Sequence, residues 1–175
     1  MGLGRLGCCV VLVGLLLGAL PGEGFAAKDS PMSSSGLPVP RYVSLKSDHV
    51  NVRSGPTKDN DVAWVYTRSG LPVEITAEFE NWRRVRDSEG AEGWVYHSLL
   101  SGRRTAVITM KRKDDLASLY ESSDEASAVV ARLQVGVLAQ VKKCVAGWCH
   151  IAGSGFDGWI EQQRLWGVYA DEKVE

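Results

Sequence analysis

The sequence states one pattern twice. Residues 50–102, VNVRSGPTKDNDVAWVYTRSGLPVEITAEFENWRRVRDSEGAEGWVYHSLLSG, are echoed by residues 117–167, ASLYESSDEASAVVARLQVGVLAQVKKCVAGWCHIAGSGFDGWIEQQRLWG. Gly70 answers to Gly136, Trp82 to Trp148, Gly93 and Trp94 to Gly158 and Trp159, and Gly102 to Gly167. A period this long exceeds the roughly 20–50 residues of solenoid and propeller repeats, whose units share a core with their neighbours. Each copy must therefore close a core of its own, and the chain divides into two small domains.

The start of the chain belongs to neither copy. Arg5 precedes an unbroken apolar or glycine run from Leu6 to Leu20, and Gly24-Phe25-Ala26 puts small residues at the −3 and −1 positions of a cleavage site. The run is short of the ~20 residues a bilayer span requires. Residues 1–26 are thus expected to be a cleaved signal peptide, taking Cys8 and Cys9 with them and leaving no stable membrane insertion. Residues 27–41, rich in proline and serine, form an expected flexible leader. Domain boundaries are expected at 42–104 and 105–169, with a tail at 170–175.

Period-2 patterning makes both copies all-β. Val73, Ile75, Ala77 and Phe79 alternate with Glu74, Thr76 and Glu78, as on a half-buried strand. Further strands are predicted at 50–53, 62–66, 82–86 and 93–96, separated by Ser54-Gly55-Pro56, Ser69-Gly70, Glu80-Asn81 and Ser88-Glu89-Gly90. The second copy gives strands at 116–120, 129–133, 137–143, 148–152 and 156–160. EASAVVAR has helical propensity, but its counterpart DVAWVYT has strand composition and the repeat decides for strand. Five strands in so short a copy leave room for no helix beyond one turn, and the fold class is two tandem small β-barrels.

The residues Asn51-Val52-Arg53-Ser54-Gly55-Pro56, then Gly70, Val73, Trp82, Val85, Gly93-Trp94-Val95 and Leu99, resemble the pattern of a bacterial SH3-like domain. The second copy is similar at Gly147-Trp148 and Gly158-Trp159-Ile160 but carries Leu119 to Ser123 where the first has Val52 to Pro56. The resemblance implies tandem SH3-like barrels in a periplasmic or secreted protein. It also implies a ligand class, peptidoglycan or a peptide or protein of the cell envelope. Such domains often accompany wall-cleaving catalytic domains; none is recognised in these residues, and hydrolysis is the least favoured of the readings.

Gly55 and Pro56 fix a tight exit from the first strand, and Gly93 and Gly158 let strands pass closely. Trp94 and Trp159 are expected to fill the cores. Trp82 and Trp148 lie on the opposite face from Val85 and Ile151 and are expected to point outward, where exposed aromatic surface beside polar groups can hold a ligand. With Arg84 on the Trp82 face, and with Arg53 and Tyr66, they make the candidate ligand-binding set; the bland alternative is that each Trp covers a hairpin end. Trp64 and Tyr66 share a strand that is apolar on both sides, which points to contact between the domains.

Cys144 and Cys149 flank a tight hairpin and are expected to form a disulfide. A metal site with His150 lacks a fourth ligand. No catalytic residue, metal or cofactor is assigned: the histidines are scattered and no carboxylate pair stands out. The basic residues Arg83, Arg84 and Arg86, and Arg103, Arg104 and Lys111 to Lys113, lie among acidic neighbours. The net charge is −1, and no nucleic-acid partner is expected. The function expected is non-enzymatic binding in the cell envelope. A structural or adaptor role toward another envelope protein is the alternative.

Overall fold

The structure is a computed structural model and describes residues 1–2, 34–112 and 115–175. The expected signal peptide therefore lies almost wholly outside the described residues, as does the first part of the leader. Strands β1 (Arg41–Leu45), β2 (Val50–Arg53), β3 (Val62–Tyr66), β4 (Pro72–Phe79), β5 (Trp82–Arg86), β6 (Glu92–Tyr96) and β7 (Leu100–Ser101) form one antiparallel sheet, ordered β3-β2-β6-β5-β4-β1-β7. Strands β8 (Thr105–Ile108), β9 (Leu116–Tyr120), β10 (Val129–Gln134), β11 (Leu138–Val145), β12 (Trp148–Gly153), β13 (Phe156–Glu161) and β14 (Leu165–Trp166) repeat that order as β10-β9-β13-β12-β11-β8-β14. Each sheet curls over its own core. Val50, Val52, Val73, Ile75, Val85 and Val95 fill the first, and Ala106, Leu119, Val141, Ile151 and Ile160 belong to the second. The edges of each sheet are not hydrogen-bonded to one another, so each barrel is partly open.

The five strands expected in each copy are present as β2–β6 and β9–β13. Strands β1 and β8 carry no period-2 signal because both of their faces are covered. All four residues of β8 are buried, and Tyr42 of β1 has its ring 5.3 Å from Trp166 and 4.7 Å from Tyr169 of the second barrel. This is the contact between the domains, together with Tyr169 donating to Glu74 Oε1 at 2.9 Å, Thr105 to the Gly70 carbonyl at 2.7 Å, and Arg68 to the Gly136 carbonyl at 3.0 Å. Trp64 and Tyr66, expected at that interface, instead lie edge-to-face at 6.0 Å and cover the first core.

The expected alternation in β4 also needs correction. A bulge between Ile75 and Ala77 reverses the faces, since one extra residue flips every side chain that follows. Phe79 ends 49% exposed, whereas the Glu78 carboxylate turns inward beneath Arg41 at 2.6 Å and Arg83 at 3.0 Å. The leader and tail are tied down where they are described. Ser35 donates to Glu78 through its backbone and its hydroxyl, both at 2.9 Å. Val174 is buried and pairs with Cys144, while Glu172 meets Arg104 at 2.6 Å.

Cys144 and Cys149 face each other across β11 and β12 and are disulfide-bonded. Both are buried in the second core. Closing so short a ring stabilises by about 2 kcal/mol, and Cys144 also exchanges backbone hydrogen bonds with Val174 at 2.9 and 3.2 Å. Reduction is expected to lower the melting temperature of the second barrel by roughly 8–16 °C and to release the C-terminal segment to protease. Melting curves with and without reductant check this, and coincident curves would contradict it.

Candidate functional site

The candidate surface is the outer face of the first sheet. Because Val52, Val85 and Val95 point into the core, their neighbours Arg53, Arg84 and Trp94 point out. Strand register then sets them side by side: Trp94 of β6 pairs with Arg53 of β2 on one flank and with Arg84 of β5 on the other. The result is an indole between two arginines, the spacing of directly opposed residues being about 4.5–5.5 Å. Trp94 is half-buried, and among the described residues no aromatic ring stacks on it. The core positions that the sequence reading gave to Trp94 and Trp159 belong to Val95 and Ile160.

The two arginines are held differently. Arg53 donates from Nη1 to the Asn60 carbonyl at 2.6 Å, which anchors the loop between β2 and β3. The Asn60 side chain closes that loop by accepting from the Thr57 backbone at 3.1 Å and from its hydroxyl at 2.9 Å. It occupies the space a Cβ on Gly55 would need, 2.5 Å from Oδ1, which is why glycine stands there. Asn60 was not singled out from the sequence, and only the geometry of the loop reveals its role. Arg84 pairs with Glu92 at 2.7 Å on open surface, an interaction worth little against a competing carboxylate.

The other candidates are placed less favourably. Trp82 lies on the outer side, as alternation required, but only 8% of it is exposed because Tyr96 packs edge-on at 5.4 Å. It seats Tyr96 and offers little surface of its own. Tyr66 turns inward and donates to Asp87 Oδ2 at 3.0 Å. Trp148 stands against Tyr120 at 5.6 Å and, with Glu125, Glu161 and Gln163, lines a cleft of about 500 Å³. There Glu125 hydrogen-bonds Glu161, which raises the Glu125 pKa. Burial pushes Glu161 up, but its hydrogen bonds from Arg164 and Glu125 outweigh that and hold it below the usual carboxylate range.

The second copy builds the same cross-strand row from different residues: Tyr120, Trp159, His150 and Lys143. His150 stacks on Trp159 at 5.1 Å and bonds Asp157 at 2.6 Å, whereas among the described residues no aromatic ring stacks on Trp94; both indoles are partly buried. Among the described residues no three metal-ligating side chains converge, and no helix is long and apolar enough to cross a membrane.

Three tyrosines report on how the scaffold is held. Burial, aided by Glu74, pushes Tyr42 up to about 12. Burial also raises Tyr66, with Asp87 adding to it, and Tyr169, with Glu74 adding to it, both well above the ordinary tyrosine value. An unfolded tyrosine ionises near pH 10. Since the folded values are raised, the stability these groups contribute is complete below about pH 10 and falls above it, the share of Tyr42 being lost as pH climbs through about 12. Phenolate absorbance should therefore rise together with unfolding in that window. A reversible ionisation of all five tyrosines near pH 10 in the folded protein would contradict it.

Two antiparallel sheets of identical strand order, each curled over a private core and each carrying Gly-Trp in the third strand of that order, define a chain of tandem SH3-type β-barrels. The profile of the bacterial SH3 domain matches residues 46–102 and again 113–167. The chain belongs to that family. No curated protein matches the sequence. Among solved structures it is similar to NlpC2 from Trichomonas vaginalis, at 15% identity and a TM-score of 0.33 over 73% of this chain and 48% of that one. For NlpC1 from the same organism the values are 16% and 0.33 over 82% and 51%. For an NlpC/P60 family protein from Bacillus cereus they are 11% and 0.29 over 71% and 55%. The chain spans about half the length of these structures.

Proposed function

We propose that the protein is a non-enzymatic binding module of the cell envelope that holds a peptidoglycan stem or an extended peptide on the outer face of its first barrel. Membership of the bacterial SH3 family supports a wall-binding role. The observation that carries the assignment to this face is Trp94, half-buried with no ring stacked on it, between Arg53 and Arg84. An indole supplies rigid apolar contact at small entropic cost, and a guanidinium pairs with a carboxylate in bidentate fashion. A chain bearing carboxylates at intervals meets both needs. The second barrel, with His150 over Trp159, serves as support for the first. The signal-like start of the sequence and the family support a periplasmic or secreted location.

Co-sedimentation with purified sacculi tests the proposal. The wild-type protein is expected in the pellet at low salt, and Trp94→Ala is expected to weaken retention at least tenfold, in line with the loss of a central aromatic anchor. No retention of the wild type, or equal retention of the variant, would sink it. A second reading, an adaptor that binds another envelope protein, is favoured by one observation: Val129 and Val130 on the edge strand β10 are 47% and 49% exposed, with Leu116 of the adjacent β9 at 49%. That reading requires Val130→Asp, and not Trp94→Ala, to abolish binding.

A further inference from the structure

Between the two barrels lies a cleft of about 660 Å³, the volume of a small-ligand site and in the usual place for one. Its floor is fixed by the domain contact. Thr105, 5% exposed, donates its hydroxyl to the Gly70 carbonyl at 2.7 Å, and Ser44 and Ala139 beside it are almost fully buried. Both barrels thus form one preorganised wall.

The charge on that wall is one-sided. Lys46 and Arg103 line the cleft and no acidic residue does, in a chain whose acidic residues outnumber its basic ones 21 to 20. Lys46 reaches the Ser98 carbonyl at 3.3 Å. Arg103 makes no side-chain hydrogen bond or ion pair among the described residues, in contrast to its neighbour Arg104, which is bound to Glu172. The remaining polar lining is neutral: Ser69, Gln140 and Ser154. No aromatic side chain is present, which removes the stacking platform that bases use.

We infer that this interdomain cleft is a second binding site, separate from the Trp94 face, that takes a short peptide by its free terminal carboxylate. Arg103 and Lys46 receive the carboxylate, and the serine hydroxyls and the Gln140 amide receive peptide groups. A carboxylate pairs with a guanidinium through two parallel hydrogen bonds, and the Lys46 ammonium adds a second positive charge beside it. Ser154 presents both donor and acceptor atoms, and Gln140, whose Oε1 accepts from Lys142 Nζ at 3.0 Å, presents its amide N–H groups, as a peptide backbone requires.

The test is a titration of the isotope-labelled protein with N-acetyl-trialanine as the free acid, followed by amide shifts. Saturable shifts are expected at Gly70, Ala139, Gly153 and Ser154. The C-terminal amide of the same peptide, and the Arg103→Gln variant, are each expected to bind at least tenfold more weakly, with Lys46→Gln weaker by a smaller factor. Both side chains are exposed, so these variants keep the fold, and the unchanged spectrum of the remaining residues verifies it. Shifts at Gly70, Ala139, Gly153 and Ser154 that saturate independently of any at Arg53 and Arg84 would separate this site from the wall-binding face. Equal binding of acid and amide would overturn the inference. So would undiminished binding by Arg103→Gln, or shifts produced as strongly at the same residues by inorganic phosphate.

Discussion

Gly93→Ala is expected to cost the first barrel about 2–3 kcal/mol and to lower its melting temperature by roughly 10–20 °C. An added Cβ would stand 2.4 Å from Val52 Cγ1, 3.0 Å from Trp64 Cη2 and 3.1 Å from the Arg53 carbonyl. Val52 is fully buried, and Trp64 packs on the same core, so neither has an empty direction in which to retreat. Strand β6 cannot retreat either, being bonded to β2 and β5 on its two sides. The clash also falls on the carbonyl of Arg53, whose outward side chain is one of the three in the proposed binding row, so ligand affinity should fall with stability. Thermal melting decides the point: a variant melting within a few degrees of the wild type would show that the core is looser than described.

Glu74→Ala is expected to uncouple the barrels. The Glu74 carboxylate is buried, with one oxygen accepting from Arg86 Nε at 2.9 Å and from Arg86 Nη2, and the other from Tyr169 at 2.9 Å. Its removal strands a phenol in the domain contact and leaves Arg86 without its partner. Arg86 is 43% exposed and recovers some hydration, so the loss should fall at about 2–4 kcal/mol, near the lower end for breaking a buried pair. The Tyr42, Trp166 and Tyr169 ring contacts depend on the same anchor. Calorimetry should resolve the two barrel transitions further apart in the variant than in the wild type, and Glu74→Gln, which keeps an acceptor for Tyr169, should fall between. A single unshifted transition in Glu74→Ala would contradict the role given to this carboxylate.

Much of this architecture was legible because a repeat supplies two readings of each strand. EASAVVAR is a helix by propensity, yet Val129–Gln134 is a strand, as its counterpart in the first copy required. The hairpin spacing of Cys144 and Cys149 was equally readable. What the sequence could not show are places where two elements share a residue. Strand β8 has no alternation because both its faces are buried, and Glu74 sits at a solvent position of its own strand only to be covered by Tyr169 from the other barrel. The bulge after Ile75 exchanges Phe79 and Glu78 between faces without any glycine or proline to announce it.

The proposed binding row is partly visible in the sequence. Chemistry points to Arg53 and Arg84, whereas a tryptophan beside a glycine in a tiny barrel looks like the residue that fills the core. Volume argues otherwise. Strand β6 already delivers Val95 inward, and alternation then forces Trp94 to the face where the arginines lie. Alternation sets the side of Trp82 but not its exposure, because Tyr96, its cross-strand partner, covers it.

The most direct measurement of the central claim is chemical-shift mapping of the labelled protein with a soluble peptidoglycan stem peptide. The largest shifts are expected at Arg53, Arg84 and the Trp94 indole N–H, and the response at Arg53 and Arg84 should disappear in Trp94→Ala. Shifts confined to the second barrel, or none at millimolar peptide, would contradict the assignment of recognition to the Arg53–Trp94–Arg84 row.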